Sequence, residues 1–191
     1  MKTPPPDLAT RLLAASGELL SPGGMPPFGD LAERLDVSRA TLYYYFAGQD
    51  DLLGFLLRAH VDAGAAVMAA ADPGAGPVAE RLRAVLGAAI GYLGEHPGMC
   101  TGLLAAAGAG PGMDEVLALN DARIAGTVRE LLAAGAATGE FDVADRRDSA
   151  NAMLGAVVMA VVARAAEGRD TMAPEFRSGL VDQLVRGLAA T

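Results

Sequence analysis

The chain has 191 residues, of which 52% are hydrophobic and only 5% aromatic, and it carries a net charge of −8 at neutral pH. This length is sufficient to bury a sizeable core in one or two domains, and the abundance of alanine and leucine favours helices. The single cysteine, Cys100, excludes an intramolecular disulfide and suits a reducing compartment. The N-terminal segment has no apolar stretch typical of a secretory signal, so we expect a cytoplasmic protein.

Membrane insertion and catalysis find little support in the sequence. The longest apolar run, residues 150–163, contains Asn151 and is shorter than the roughly 20 residues of a membrane-spanning helix, so we predict a buried helix and no membrane segment. The two histidines and the cysteine fall on separate predicted elements, and no His, Cys and carboxylate cluster has metal-ligand spacing. We therefore expect no metal, no other cofactor and no enzymatic activity.

The first predicted helix follows three consecutive prolines, and Asp7 is placed to cap it. Its apolar positions recur at helical spacing, which predicts one buried face. A loop rich in proline and glycine at residues 21–27 ends this helix. The apolar positions are Leu8, Leu12, Ala15 and Leu19.

Residues 28–46 predict two short helices joined by a tight turn at Asp36. Ser38 can cap the second helix, because its hydroxyl can accept a hydrogen bond from a backbone N–H that has no partner within the helix. Leu42 and Phe46 give this helix one apolar face. The arrangement is typical of a helix-turn-helix, which places its second helix in the major groove of duplex DNA.

The opposite face of the second helix carries groups that can bind DNA. Arginine can form paired hydrogen bonds to guanine, the methyl groups of alanine and threonine can contact the thymine methyl, and tyrosine hydroxyls can reach phosphates. An ordinary helix with exposed tyrosines is the alternative, but adjacent exposed aromatic residues are uncommon on a polar helix. The predicted DNA-binding residues also include the cap of this helix and the first residue of the next helix. They are Ser38, Arg39, Ala40, Thr41, Tyr43, Tyr44 and Gln49.

The same segment resembles the TetR family of transcriptional repressors. The resemblance rests on Leu31-Ala32, on Val37-Ser38-Arg39-Ala40-Thr41-Leu42-Tyr43-Tyr44-Tyr45-Phe46 and on Asp50 with Leu52-Leu53. It implies a DNA-binding domain at residues 1–48 and an effector-binding and dimerisation domain at residues 49–191. It also implies a homodimer that binds a near-palindromic operator in duplex DNA and leaves it when a small molecule binds.

Three positions depart from the family pattern. Pro27 stands where a phosphate-binding serine or threonine is usual, and Gln49 stands where a lysine is usual. Asp36 occupies the glycine position of the turn and must adopt a left-handed conformation, which aspartate tolerates better than most residues. Residues 1–60 also hold five basic and seven acidic side chains, so we expect a weak salt dependence of DNA binding.

The rest of the chain predicts six more helices, which gives an all-α fold of about nine helices. The Gly-rich segment at residues 108–112 resembles a phosphate-binding loop only superficially, because no strand precedes it, and we interpret it as a hinge or turn. The six helices are predicted at about 49–70, 78–93, 99–107, 113–131, 146–167 and 174–189.

The resemblance implies an effector pocket among the middle helices. No cluster of arginine or lysine falls among the candidate residues, so we expect a mainly apolar effector of modest size. His60 could bond the effector or be a satisfied histidine of the core, and Asn120 could meet a polar group of the ligand or lie at the surface. The candidates are His60, Leu86, Ile90, Met99, Leu103, Leu117, Asn120, Ile124 and Met153.

The last two helices are implied to form a four-helix dimer interface with a second copy. Their apolar stripes are too large to leave in water, which favours an obligate dimer. The predicted interface residues are Ala156, Val157, Ala160, Val161, Leu180 and Leu184.

A second class of function stays open at this stage. Pro27, Gln49 and the acidic balance of the chain also fit a ligand-binding or scaffold dimer that has lost specific DNA binding. The retention of Arg39, Thr41 and the two tyrosines after Leu42 opposes that alternative.

Overall fold

The computed structural model describes residues 2–20, 25–106 and 111–188. Within these ranges the fold is all-α. The elements are α1 Pro6–Ala14, α2 Ser16–Leu19, α3 Phe28–Arg34, α4 Arg39–Tyr45, α5 Gln49–Ala71, α6 Val78–Glu95, α7 Pro97–Ala106, α8 Pro111–Asn120, the π turn Asp121–Ala125, α9 Gly126–Thr138, α10 Arg146–Ala166 and α11 Pro174–Arg186. The prediction of about nine helices is confirmed, because nine helices of the described residues have seven or more residues when α8, the π turn and α9 are taken as one.

Two of the predicted loops fall partly beyond the described ranges. Residues 21–24, expected to form a loop, and residues 108–110, interpreted as part of a hinge, lie outside the described residues.

The turn between α3 and α4 has the predicted conformation. Asp36 has a φ of 49°, in the left-handed region expected for the residue at the glycine position of the turn. The guanidinium of Arg11 donates to the carbonyl of Leu35 at 2.5 Å, which ties α1 to the C-terminal end of α3. These contacts fix the angle at which α4 leaves the N-terminal helices.

Two hydrophobic clusters form the core. The first joins α1–α4 to residues 52–61 of α5 and to residues of α7 and α8. The second joins Met68 near the end of α5 to α6, α9, α10 and α11. Because α5 contributes to both clusters, any shift of α5 changes the support beneath α4.

Two helices, α5 and α10, are long and apolar enough to cross a membrane by length and composition alone. In α5, 44% of the apolar window is buried, but in α10 only 22% is buried within one chain. Met159 of α10 leaves 54% of its surface exposed. A single copy of the chain therefore presents an apolar face along α10.

The structure buries two of the predicted interface residues. Val157 and Val161 are fully buried within their own chain, Val157 in the second cluster, so neither presents surface to a partner in this conformation. The face of a helix that packs inward is set by its neighbours, and the apolar pattern of α10 is nearly continuous. The other four predicted residues are half-buried and stay a prediction: Ala156, Ala160, Leu180 and Leu184.

Candidate DNA-binding surface and effector cavity

The cap predicted for α4 is present. The Ser38 hydroxyl accepts a hydrogen bond of 3.0 Å from the backbone N–H of Thr41, and the two hydroxyls lie 2.8 Å apart. Leu42 and Phe46 are fully buried and anchor the inner face of the helix. The helix therefore presents its other face outward, with Ser38, Arg39, Ala40, Tyr43 and Tyr44 exposed and Thr41 half-buried.

The side chains at the N-terminal end of α4 support one another. Tyr43 is 50% exposed and packs against Phe28, with ring centroids 5.0 Å apart. The Arg39 guanidinium lies over the Tyr43 ring at 5.4 Å, and its Nη2 donates to the tyrosine hydroxyl at 3.4 Å. The arginine is thus partly oriented before any ligand arrives, which lowers the entropy lost on binding.

Lys2 is a candidate DNA-binding residue that the sequence reasoning missed. Its ammonium lies 3.7 Å from the centre of the Tyr44 ring, and Tyr44 is 59% exposed. Pro4 is buried, so the N-terminal segment is anchored close to α4. The chain holds no other lysine. The three prolines that follow Lys2 were the available signal, because they stiffen the segment that carries it.

Gln49 is turned away from its predicted role. Its side-chain amide donates to the carbonyls of Met25 and Pro26 at 2.9 and 3.0 Å. Both N–H groups of the amide are used, and the remaining oxygen can only accept, so in this conformation Gln49 cannot donate to a phosphate. In this geometry Gln49 fixes the loop before α3, and its contact with a phosphate stays a prediction.

A cavity of about 60 Å³ lies among α5, α6, α7, α8, the π turn and α10. Four predicted residues line it: Met99, Leu103, Asn120 and Ile124. Tyr92 and Asn120 are the lining residues with polar side-chain atoms, and the rest of the wall is apolar. The lining residues that were not predicted are Gly64, Met68, Ala89, Tyr92, Leu93, Leu154 and Val158.

Five of the predicted pocket residues lie elsewhere. Leu86 and Ile90 are fully buried and Met153 is buried, all within the second hydrophobic cluster, because α9, α10 and α11 cover that face of α6. Leu117 is half-buried on α8 and does not line the cavity. His60 is a satisfied core histidine, the alternative given for it above. The apolar spacing identified helices that line this cavity but not which turn of each helix faces it.

His60 joins three helices through its two ring nitrogens. Nδ1 lies 2.7 Å from the Tyr92 hydroxyl on α6, and Nε2 lies 2.8 Å from the Ser16 hydroxyl on α2. Burial, together with the nearby His96 ring, lowers the pKa of His60 to about 4. Burial also raises the pKa of Tyr92 to about 12. Both groups are therefore neutral at physiological pH.

The π turn borders the same cavity through Asn120 and Ile124. The Arg129 guanidinium donates to the carboxylate of Asp121 at 2.8 Å and to its backbone carbonyl at 2.9 Å. A π turn widens the helix by one residue, and such turns are frequent at functional sites. Arg129 thus clamps this widened turn at the cavity wall.

Neither a cluster of metal ligands nor a reactive thiol is found among the described residues. Among them, no group of three or more His, Cys, Asp or Glu side chains could hold a metal ion. Burial raises the pKa of Cys100 to about 12, so its thiol stays protonated and is a poor nucleophile at neutral pH.

Comparison with solved structures shows a shared fold over nearly the whole chain. A bacterial regulatory protein of the tetR family from Rhodococcus RHA1 superposes with a TM-score of 0.78 and 17% identity, covering 96% of this chain and 98% of that one. The transcriptional regulator FadR from Bacillus subtilis, in complex with stearoyl-CoA, superposes with a TM-score of 0.78 and 17% identity, covering 94% of this chain and 98% of that one. The fatty acid degradation regulator FadR from Bacillus halodurans superposes with a TM-score of 0.74 and 16% identity, covering 95% of this chain and 98% of that one.

Sequence comparison assigns both parts of the chain to one family. No curated protein matches the chain in sequence at a significant level. Residues 12–54 match the family model described as bacterial regulatory proteins, tetR family. Residues 75–162 match the model described as tetracyclin repressor-like, C-terminal domain. Because the N-terminal and C-terminal models describe the same kind of protein, the chain belongs to the TetR family of transcriptional regulators.

Proposed function

We propose that this protein is a cytoplasmic repressor that binds a near-palindromic operator as a homodimer and is released by a small, mainly apolar effector. In this proposal residues 1–48 read the DNA, and residues 49–191 bind the effector and form the dimer. The outward face of α4 carries the proposal, because Arg39, Tyr43 and Tyr44 are exposed together on a capped helix whose other face is fully anchored.

The exposed apolar face of α10 supports the proposed dimer. Met159 and its half-buried neighbours Ala156 and Ala160 would be covered by α10 and α11 of a second copy. A two-fold dimer presents two identical reading helices, and their spacing sets the spacing of the operator half-sites.

The effector class is inferred from the wall of the cavity. Apolar residues surround Asn120, so the cavity suits an apolar molecule with one group that can hydrogen-bond to an amide. Small-molecule sites usually enclose about 300–1,000 Å³. A cavity of about 60 Å³ must therefore open for most ligands. The stearoyl-CoA in the Bacillus subtilis FadR supports an apolar chain as one effector to try first.

Selection from random duplexes tests the DNA-binding proposal. The purified full chain should enrich a motif with two related half-sites. Arg39→Ala and Tyr44→Ala should each weaken binding to that motif by about 1–3 kcal/mol if the side chains contact bases. Arg186→Ala, at the far end of the chain, is the matched control and should bind as the wild type does. A wild-type selection without an enriched motif would reject the proposal.

The second candidate is a ligand-binding dimer without specific DNA binding. It is favoured by Gln49, whose amide is bound to loop carbonyls, and by the low number of basic residues near α4. A failed selection, together with apolar compounds that raise the melting temperature, would support this candidate.

A further inference from the structure

Three polar side chains, of which Ser16 and His60 are buried and Tyr92 is half-buried, form a continuous hydrogen-bonded network from the cavity to the N-terminal helices. Tyr92 lines the cavity, its hydroxyl lies 2.7 Å from His60, and the other ring nitrogen of His60 lies 2.8 Å from Ser16. Ser16 and His60 are buried amid the first hydrophobic cluster. The hydrogen-bonded network crosses from α6 through α5 to α2, so it joins the cavity to the N-terminal helices.

We propose that Tyr92, His60 and Ser16 couple the effector cavity to the DNA-binding helices, and that a ligand which displaces the Tyr92 ring releases α2 from α5. This inference rests on the proposed function, since it assigns the residues through which the effector would act. The three residues act as positioning residues between the cavity, which Tyr92 lines, and the N-terminal helices.

The imidazole makes the two hydrogen bonds interdependent. A neutral histidine ring has one donor nitrogen and one acceptor nitrogen. Whichever of the Tyr92 and Ser16 hydroxyls donates to the ring, the other must accept from it. Loss of one bond frees the ring to rotate and leaves a buried nitrogen without its partner, which weakens the second bond as well.

The Tyr92 ring lies beside Gly64 of α5. A Cβ atom at Gly64 would lie 3.4 Å from Cδ1 of Tyr92, an ordinary van der Waals contact, so the space between the ring and this helix is about that of one carbon atom. His60 lies one turn earlier on the same helix. A ligand that displaces the ring away from α5 would therefore lengthen the bond to His60.

The Ser16 end of the hydrogen-bonded network lies on α2, which has a second link to the cavity through α7. A Cβ atom at Gly98, near the start of α7, would lie 3.1 Å from the carbonyl oxygen of Leu20, so α7 abuts the end of α2. Met99 and Leu103 of α7 line the cavity. The other contacts of α2 include the apolar packing of Leu19 and an exposed ion pair of Glu18 with Arg34 at 3.1 Å, whereas the buried bond from Ser16 to His60 fixes a particular position of the helix.

Amide hydrogen exchange on the full-length protein tests the coupling without DNA or effector. Tyr92→Phe removes the hydroxyl at one end of the hydrogen-bonded network, and Ser16→Ala removes the hydroxyl at the other end. Each should speed exchange of the slow amides in α1 and α2 roughly 3- to 10-fold, the range for loss of one net hydrogen bond. Amide exchange in the double variant should be no faster than in either single variant, because both substitutions break the same hydrogen-bonded network.

Matched variants separate coupling from general loosening. Tyr45→Phe removes a hydroxyl within the N-terminal helices, and Ser178→Ala removes one on α11. Neither substitution should change amide exchange in α1 or in α2. Unchanged exchange in α1 and α2 for Tyr92→Phe, with a change confined to α6, would overturn the proposal. Strictly additive effects of Tyr92→Phe and Ser16→Ala would overturn it too.

Operator affinity separates this inference from the proposed function. On a selected duplex, both variants should weaken binding by similar factors, and the double variant should bind no worse. If both variants bind as the wild type does while Arg39→Ala loses affinity, DNA binding stands and the coupling proposal is wrong. If exchange responds as expected but no duplex motif is ever selected, the two ends are coupled and the DNA-binding proposal fails.

Discussion

The carboxylate of Glu140 accepts a 3.0 Å hydrogen bond from the backbone N–H of Val78, the first residue of α6. Its second oxygen accepts from the N–H of Ala79 at 2.9 Å. Glu140 thus caps a helix that begins 62 residues earlier and places a negative charge at its positive end. These two bonds hold the pKa of Glu140 below its ordinary value.

Glu140→Gln should lower the melting temperature by a few degrees, because it keeps the shape but removes the charge and turns an NH₂ group toward one backbone N–H. A carboxylate whose pKa is lowered by folding stabilises the fold above its unfolded pKa of 4.5 and loses that contribution as pH falls through the folded value. Thermal unfolding at pH 7 and pH 3 should show a difference that shrinks in acid. Glu130→Gln, exposed on α9, should have little effect at either pH.

Gly135 should not tolerate a methyl group. A Cβ atom there would lie 2.0 Å from Cδ2 of Phe141, which is buried under α9. We expect Gly135→Ala to lower the free energy of unfolding by about 1–3 kcal/mol, the usual cost of overpacking. Gly87→Ala is the matched control, since no atom lies within 4 Å of the added carbon. It should instead stabilise α6 by up to about 1 kcal/mol. Urea unfolding of both variants would show opposite shifts, and equal shifts would contradict the packing.

Lys2 should contribute charge to DNA binding rather than sequence preference. Lys2→Met should weaken binding to specific and random duplexes by about the same factor and reduce the slope of log affinity against log salt by about one. Lys2→Arg should restore both. Fluorescence anisotropy at several salt concentrations makes the measurement. A loss confined to the specific duplex would show that the contact over Tyr44 orients a base-reading group instead.

Two residues two positions apart on α10 should behave differently. Met159→Glu places a charge on the exposed apolar face, so we expect monomers in sedimentation at micromolar concentration and loss of operator binding. Val157→Ala removes fully buried atoms and should instead cost about 2 kcal/mol of folding stability with the dimer retained. A Met159→Glu protein that stays dimeric would place the interface elsewhere.

The stability of the fold should fall in mild acid because of His60. Its folded pKa of about 4 lies below the ordinary value of 6.5, so between these pH values the unfolded state binds a proton that the folded state excludes. The free energy of unfolding should therefore decrease as pH falls from 6.5 to 4, by on the order of 2–3 kcal/mol. Urea unfolding of His60→Gln should show a shallower decrease over this window, and an identical slope would contradict the assignment.

Local residue patterns determined the N-terminal part of this protein. The left-handed turn at Asp36 and the cap at Ser38 depend on neighbours within a few residues, as does the outward face of α4, so they could be read in chain order. The same holds for the helix bounds, which depend on prolines, glycines and apolar spacing. The family resemblance rests on this short-range information too.

Tertiary structure alone decided which polar groups distant in sequence meet. Glu140 caps a helix 62 residues away, and His60 bonds to Ser16 and Tyr92 at separations of 44 and 32 residues. An apolar helix with several possible inward faces does not specify its contacts, so Val157 could not be distinguished from Met159. The partners of Gln49 could not be predicted for the same reason, because they are carbonyls of a loop brought near by folding. Such contacts depend on how packed helices rotate about their axes, and that rotation is set by the whole core.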